Sequence, residues 1–294
     1  MRFSHGNRTV LIAATVLATI AVITPPARAD RPHRIVSAFL CTDEYVLRLV
    51  PRNRIAAVSY LAADTHPVVS TVAEQAKGIP GVRASAEQVL ALHPDLVVTY
   101  AGTNARQTQL LRVANVHVLE IPWAQSLADV RRITLMLGRQ LDAEPRAEAM
   151  LREMDAQLRA AKFLAVHPPV RALIYEPNGY ATGGGVTDEI LSSAGLRNIG
   201  TGPGLTRSGT FPVEAVLAMT PELLVLNGAH EARPAKADIV LKHPALRALP
   251  ANTLIVGMSL VPLLCPGPWS AGIAGTLAQL GRQASAVEGN HTAK

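Results

Sequence analysis

Two glutamates occupy the same place in two copies of one phrase. ASAEQVLALHPDLVVTYAG (Ala84–Gly102) and SGTFPVEAVLAMTPELLVLNGAH (Ser208–His230) share one pattern: a small residue, a Glu, V-L-A, a Pro, an acid and an apolar run. Glu87 and Glu214 lie 127 positions apart, each seven residues before its proline. Both are predicted in the first turn of a short helix, capped by Ser85 or Thr210, with Pro212 where a missing N–H costs nothing. A first-turn carboxylate favours the helix dipole by about 0.5 kcal/mol, and that explains either glutamate alone. A matched pair on equivalent helices of two rigid bodies offers more. Two fixed anionic points can dock two Arg-lined sockets on a two-fold symmetric partner.

The other reactive residue types form no catalytic constellation. His66, His93, His117, His167, His230 and His243 are dispersed, without H-x-x-x-H spacing or a nearby Cys, so no metal site is assigned. His93 and His243 each precede a proline at a helix end, where a histidine suits the C-terminal dipole. GYATGGGVTDE (Gly179–Glu189) lacks both G-K-[ST] and G-x-G-x-x-G, and reads as a cleft-edge loop needing close backbone approach. There is no G-x-S-x-G elbow, and no acid pair suggests hydrolysis. An enzyme is therefore not expected, and no cofactor is implied.

Charge and composition narrow the class. The 294 residues are 49% hydrophobic and 17% charged, which describes a globular protein with one large core or two smaller ones. Formal charge is +6, and removing Arg2, Arg8 and Arg28 with the acid-free N-terminus leaves +3, too mild to argue for nucleic acid. Met1–Ala29 reads as a cleaved signal peptide: a basic start, the apolar run Val10–Ile23, and Ala27-Arg28-Ala29. Those 14 apolar residues fall short of the ~20 a spanning helix needs. The mature protein is expected to be soluble and exported. In an exported protein Cys41 and Cys265 are either a disulfide or two buried thiols.

The elements that position these residues alternate. Strand-like runs occur at Arg34–Leu40, Arg54–Tyr60, Asp95–Tyr100 and Val116–Ile121, with helices at Thr42–Val50, Ser85–Leu92 and Asn104–Ala114 between them. Ser126–Asp129 resembles a capping box opening a helix to about Leu141. Glu144–Val166 follows without a glycine. Ala147, Leu151, Met154, Leu158 and Ala161 line one of its faces and charged residues the other, and His167–Pro169 ends it. This long helix separates the two copies of the phrase and reads as a connector. Strands at Arg171–Pro177, Glu222–Leu226 and Thr253–Met258 and helices at Thr187–Gly195 and from about Pro268 to Ala284 complete the second half. The expected organisation is a signal peptide at 1–29, an N-terminal α/β lobe at 30–141, a linking helix at 142–167 and a C-terminal α/β lobe at 168–294. Each lobe is a mostly parallel sheet covered by helices.

RIVSAFLCTDEYVLRL, the SAEQVLALHPDLVV block, PNGYATGGGVTDEILSSAGLRNI and FPVEAVLAMTPELLVL resemble the periplasmic substrate-binding proteins of ABC importers for cobalamin and ferric siderophores. The resemblance runs over almost the whole mature chain. It implies two Rossmann-like lobes on a backbone helix with modest closure. It also implies docking of Glu87 and Glu214 on arginines of the permease dimer, and a metal chelate as ligand: a ferric siderophore first, cobalamin or haem second. Ligands of α/β lobes sit beyond the carboxyl ends of strands. Here those ends supply Phe39, Cys41, Tyr60, Tyr100 and Trp123, then Tyr175, Tyr180 and Asn227. Arg83 and Arg207 precede the two motifs and suit a ligand bearing carboxylates or catecholates. Gly81 and Ser208, six residues before each Glu, stand where aromatics would favour cobalamin. The alternatives are a bare zinc or manganese binder and an exported enzyme on the same scaffold. If Cys41 and Cys265 both face the cleft, a disulfide ties the lobes and restricts closure further.

Overall fold

Runs such as Leu96–Tyr100 and Leu223–Asn227 are apolar on both faces, and such strands are stable only inside a helix-covered parallel sheet. The computed structural model of the chain describes Met1 and residues 31–63, 69–83, 85–200, 209–228 and 236–292. The segment read as a signal peptide lies outside the described residues. Among the described residues no helix is long and apolar enough to cross a membrane.

The N-terminal lobe follows β1 (Ile35–Ser37), α1 (Leu40–Leu49), β2 (Ile55–Ser59), α2 (Ala73–Ala76), β3 (Gly81–Val82), α3 (Ala86–Leu90), β4 (Leu96–Tyr100), α4 (Ala105–Val113), β5 (Val118–Ile121) and α5 (Leu127–Gln140). Its sheet is wholly parallel in the order β3-β2-β1-β4-β5. The chain winds outward from β1 in one direction and resumes beside β1 in the other, so a crevice opens between β1 and β4. Ser126 caps α5 by accepting from the Asp129 N–H at 3.0 Å, while the Asp129 carboxylate reaches back to Gln125 N. This is the expected capping box shifted by one residue.

α6 (Glu144–Leu164) is the connector, two residues shorter than the sequence suggests and ~32 Å long. Ala143 and Ala147 belong to the N-terminal core, whereas Leu151, Met154 and Ala161 belong to the C-terminal one. One apolar stripe therefore serves two lobes in succession.

The C-terminal lobe follows β6 (Val170–Glu176), β7 (Tyr180–Ala181), α7 (Gly185–Ser193), β8 (Leu196–Asn198), β9 (Gly209–Thr210), α8 (Val213–Met219), β10 (Leu223–Asn227), β11 (Leu254–Met258), α9 (Val261–Leu264) and α10 (Ala274–Thr292). β11, β10, β6 and β8 are parallel, but β7 and β9 extend the sheet antiparallel. The short strands β3, β7, β8 and β9 carry too little periodicity to be read from sequence, whereas the three-residue β1 sits inside a longer apolar run, Arg34–Leu40, that is readable. Thr210 ends β9 and caps nothing; Pro212 is the residue before α8, with no side-chain cap. His243 also departs from expectation. Its Nδ1 accepts from Ala245 N at 3.2 Å, capping the start of the 3-10 turn Pro244–Ala248.

The start of α1 fixes the N-terminal lobe. Thr42 Oγ1 donates to the Phe39 carbonyl at 2.7 Å and sits 2.7 Å from Ser37 Oγ. Asp43 accepts from Ser59 N at 3.1 Å and from Ser59 Oγ at 2.5 Å, gripping the chain where it leaves β2. Glu44 accepts from Thr71 N at 2.7 Å and pairs with Arg48 at 2.6 Å, gripping the same loop where it returns. Both carboxylates are buried. Burial, with Glu44 beside it, raises the Asp43 pKa to about 7 against the Ser37 and Ser59 hydrogen bonds. Between the ordinary carboxylate range and about 7, the folded protein thus holds a proton that the unfolded chain has released. Stability is expected to fall as pH rises from 5 to 7, by at most about 1.4 kcal/mol per unit, and to level off above that. Asp43→Asn should flatten this slope in chemical denaturation at stepped pH.

Candidate functional site

The carboxyl ends of the first sheet gather aromatic rings. Tyr100, last in β4, has its ring centroid 4.3 Å from Trp123, which follows β5, and 5.6 Å from Phe39, which follows β1. Phe39 and Trp123 meet edge to face at 5.8 Å. The three sit at the switch point of the strand order, where an open α/β sheet leaves its crevice. Their exposures differ in kind: Trp123 is 44% exposed, Phe39 is half-buried and Tyr100 is 1% exposed. Tyr100 is thus the base on which Trp123 and Phe39 rest, and burial raises its phenol pKa. Face and edge packing of this kind is worth about 0.5–1.5 kcal/mol per pair beyond area burial, so the cluster is stiff without ligand.

Beside it, Tyr60 follows β2 and is 45% exposed, with the Arg83 guanidinium 4.2 Å above its ring. The stack holds the charge near the strand ends while leaving its N–H donors outward. The Arg83 backbone N–H donates to Gln88 Oε1 at 3.1 Å, which fixes Arg83 to the first turn of α3.

In the second lobe Tyr180, on β7, is 46% exposed. Tyr175 is a core residue instead: it is fully buried and its hydroxyl donates to the Phe211 carbonyl at 2.9 Å. Asn227 is also committed within the lobe, accepting from Leu260 N at 2.9 Å. The glycine-rich loop makes the close backbone approach expected of it, toward this chain's own Gln125. Gly185 has φ +54°, and a Cβ there would lie 3.2 Å from the Gln125 carbonyl. Nearby, Glu189 accepts from Leu127 N at 2.7 Å, a second link between α7 and the start of α5. Arg207, His66 and His230 lie outside the described residues. Among the described residues, no three His, Cys, Asp or Glu side chains cluster as a metal would require.

Glu87 and Glu214 are both exposed in the first turns of α3 and α8. Ser85 Oγ accepts from Gln88 N and donates to Glu87 Oε2 at 2.6 Å. That bond is the main reason the Glu87 pKa lies below its ordinary value. Glu214 has no such cap, so the copies agree in place and differ in support. Cys41 and Cys265 are bonded, their Cα atoms 5.0 Å apart, and both are buried in the N-terminal core. Sequence reasoning missed Trp269, which packs against Tyr45 beside this bond, and the buried pair Asp43-Glu44. The signal for the latter was present: two adjacent acids in an apolar helix directly after a buried strand.

A family model described as periplasmic binding protein matches residues 35–253. No curated protein matches the chain. Among solved structures, the periplasmic haem-binding protein of Roseiflexus sp. RS-1 is 23% identical, with TM-score 0.69, 86% of this chain and 98% of that one covered. An Fe3+-hydroxamate transport system protein from Saccharomonospora viridis is 22% identical, with TM-score 0.64 and 85% and 93% covered. The periplasmic vitamin B12 binding protein of Vibrio cholerae is 19% identical, with TM-score 0.65 and 86% and 98% covered. At these identities the likeness is one of fold.

Ser85→Ala removes both a helix cap and the donor to Glu87. A loss of about 1 kcal/mol in thermal stability is expected, with the Glu87 pKa rising toward its ordinary value in an NMR titration.

Proposed function

The chain belongs to the periplasmic binding protein family, and we propose that it captures a metal chelate between its lobes and delivers it to an ABC importer. In this reading the N-terminal segment 1–29 is a signal peptide that is cleaved on export. Residues 30–141 and 168–294 are the two lobes, 142–167 is the linker, and the protein works as a monomer. The observation that carries the ligand class is the ring cluster of Phe39, Tyr100 and Trp123 at the switch point, with Trp123 open to solvent. An exposed indole on a stiff base offers a flat apolar contact to a large conjugated ligand. Tyr60, Arg83 and Tyr180 add two further aromatic surfaces and one charge suited to carboxylate or catecholate groups at the ligand rim, with Arg207 as a second charge. A ferric siderophore or a metal macrocycle such as haem or cobalamin meets that description. A bare divalent cation does not, since it would need clustered carboxylates and imidazoles, and the described residues hold no such group. No bond is made or broken in this function; the work is binding.

Glu87 and Glu214 are the proposed docking points. Both are solvent-facing, and the cap at Ser85 keeps Glu87 ionised. Anionic points on two rigid lobes match paired arginine sockets on a two-fold permease.

Two measurements test this. Titration with hemin, cyanocobalamin and ferrichrome should identify one class bound tightly, and Trp123→Ala should weaken that class about tenfold, or about 1.4 kcal/mol. Failure of all three to bind would defeat the chelate reading. Glu87→Arg with Glu214→Arg should abolish uptake while leaving ligand affinity unchanged, and normal uptake would defeat the docking reading.

A further inference from the structure

The chain between Leu260 and Ala274 leaves the C-terminal lobe and returns to it. Leu260 and Leu263 pack in the C-terminal core, Cys265 and Trp269 pack in the N-terminal one, and Ala271 and Ala274 are back in the C-terminal core. Three contacts lodge this excursion in its host lobe. Cys265 is bonded to Cys41 on α1. The Trp269 ring meets Tyr45 edge-on, with centroids 4.7 Å apart. The Arg48 guanidinium lies 4.5 Å from the Trp269 ring centroid. All three anchoring residues belong to α1.

The loop is also braced internally. The Trp269 indole N–H donates to the Cys265 carbonyl at 3.0 Å, and Ser270 Oγ donates to the Pro262 carbonyl at 2.6 Å and accepts from Gly267 N at 3.1 Å. A Cβ on Gly267 would lie 2.2 Å from the Trp269 ring, so the turn admits only glycine if the indole keeps its place. Its 3-10 stretch, Pro268–Ile273, packs directly against α6.

α6 is the peptide link between the two bodies, and the contacts of Gln125 and Leu127 with Gly185 and Glu189 are noncovalent, so both bending and twisting stay partly open. A second fixed connection beside the first leaves rotation about one line only. We propose that residues 264–270 are this second hinge pin, locked by the Cys41–Cys265 bond, and that they confine the lobes to a narrow motion about one axis. The pin holds the two cleft surfaces in register before any ligand arrives.

The test uses spin labels at Gln109→Cys on α4 and Ala248→Cys in the C-terminal lobe, both exposed, and reads the interlobe distance distribution without ligand. Replacing the bond by Cys41→Ser with Cys265→Ser should make the distribution about twofold wider. Trp269→Leu, which keeps the bond and removes the ring from its seat, should widen it by less. A folded double variant with the native width overturns the proposal, even if its melting temperature has dropped. Should the double variant fail to fold, Trp269→Leu decides, and a native width there overturns the proposal equally. No ligand enters these readouts, so they stand apart from the chelate reading.

Discussion

Two carboxylates are buried side by side at the start of α1, and the arrangement around them sets the geometry of the lobe. Burying a carboxyl group, charged or protonated, is tolerable only when its oxygens are hydrogen-bonded. Asp43 meets that demand with the backbone and hydroxyl of Ser59, and Glu44 meets it with Thr71 and Arg48. The partners stand at the two ends of the loop that carries Tyr60, so satisfying the acids closes that loop. Their neighbours do parallel work: Cys41 binds the opposite lobe, Thr42 ties β1 to the helix, and Tyr45 receives Trp269. Five consecutive side chains thus fasten β1, both ends of the loop after β2, and the excursion that carries Cys265 and Trp269.

The acids elsewhere follow the opposite rule. Glu87 and Glu214 stand in water at helix starts, where a charge costs little and stays available to a partner. The chain therefore holds carboxylates in two settings: buried ones that fasten a loop, and exposed ones at helix starts. The rings at the sheet edge divide similarly. Tyr100 is buried and Trp123 is open to solvent, although both are aromatic residues at the end of a strand.

Much of this was legible in the sequence, for reasons tied to length. The apolar runs around the main strands and the 21-residue α6 have enough periods to announce themselves, so the two-sheet plan and its connector were readable. The two glutamates were readable because the phrase around them is repeated. What escaped depends on contacts distant in sequence. Tyr175 and Tyr180 are both strand tyrosines, and only the pairing of β7 with β9 decides that one faces a core carbonyl and the other solvent. The two-residue strands have no pattern to read. Trp269 looked like one more residue near a helix start, because its host is a lobe built more than 200 residues earlier.

The bond from Cys41 to Cys265 spans 224 positions, and this sets an order of events. Synthesis runs from the N-terminus, so Cys41 is made long before its partner exists. The first lobe can build its sheet while that thiol is still single. The second cysteine arrives with the last strand-and-helix portion of the chain, after β11. The bond that ties the lobe pair is therefore closed by a late-made piece, with only the 3-10 stretch Pro268–Ile273 and α10 still to follow. A chain that stops before residue 265 carries an unpaired sulfur on α1 and lacks the ring that packs against Tyr45.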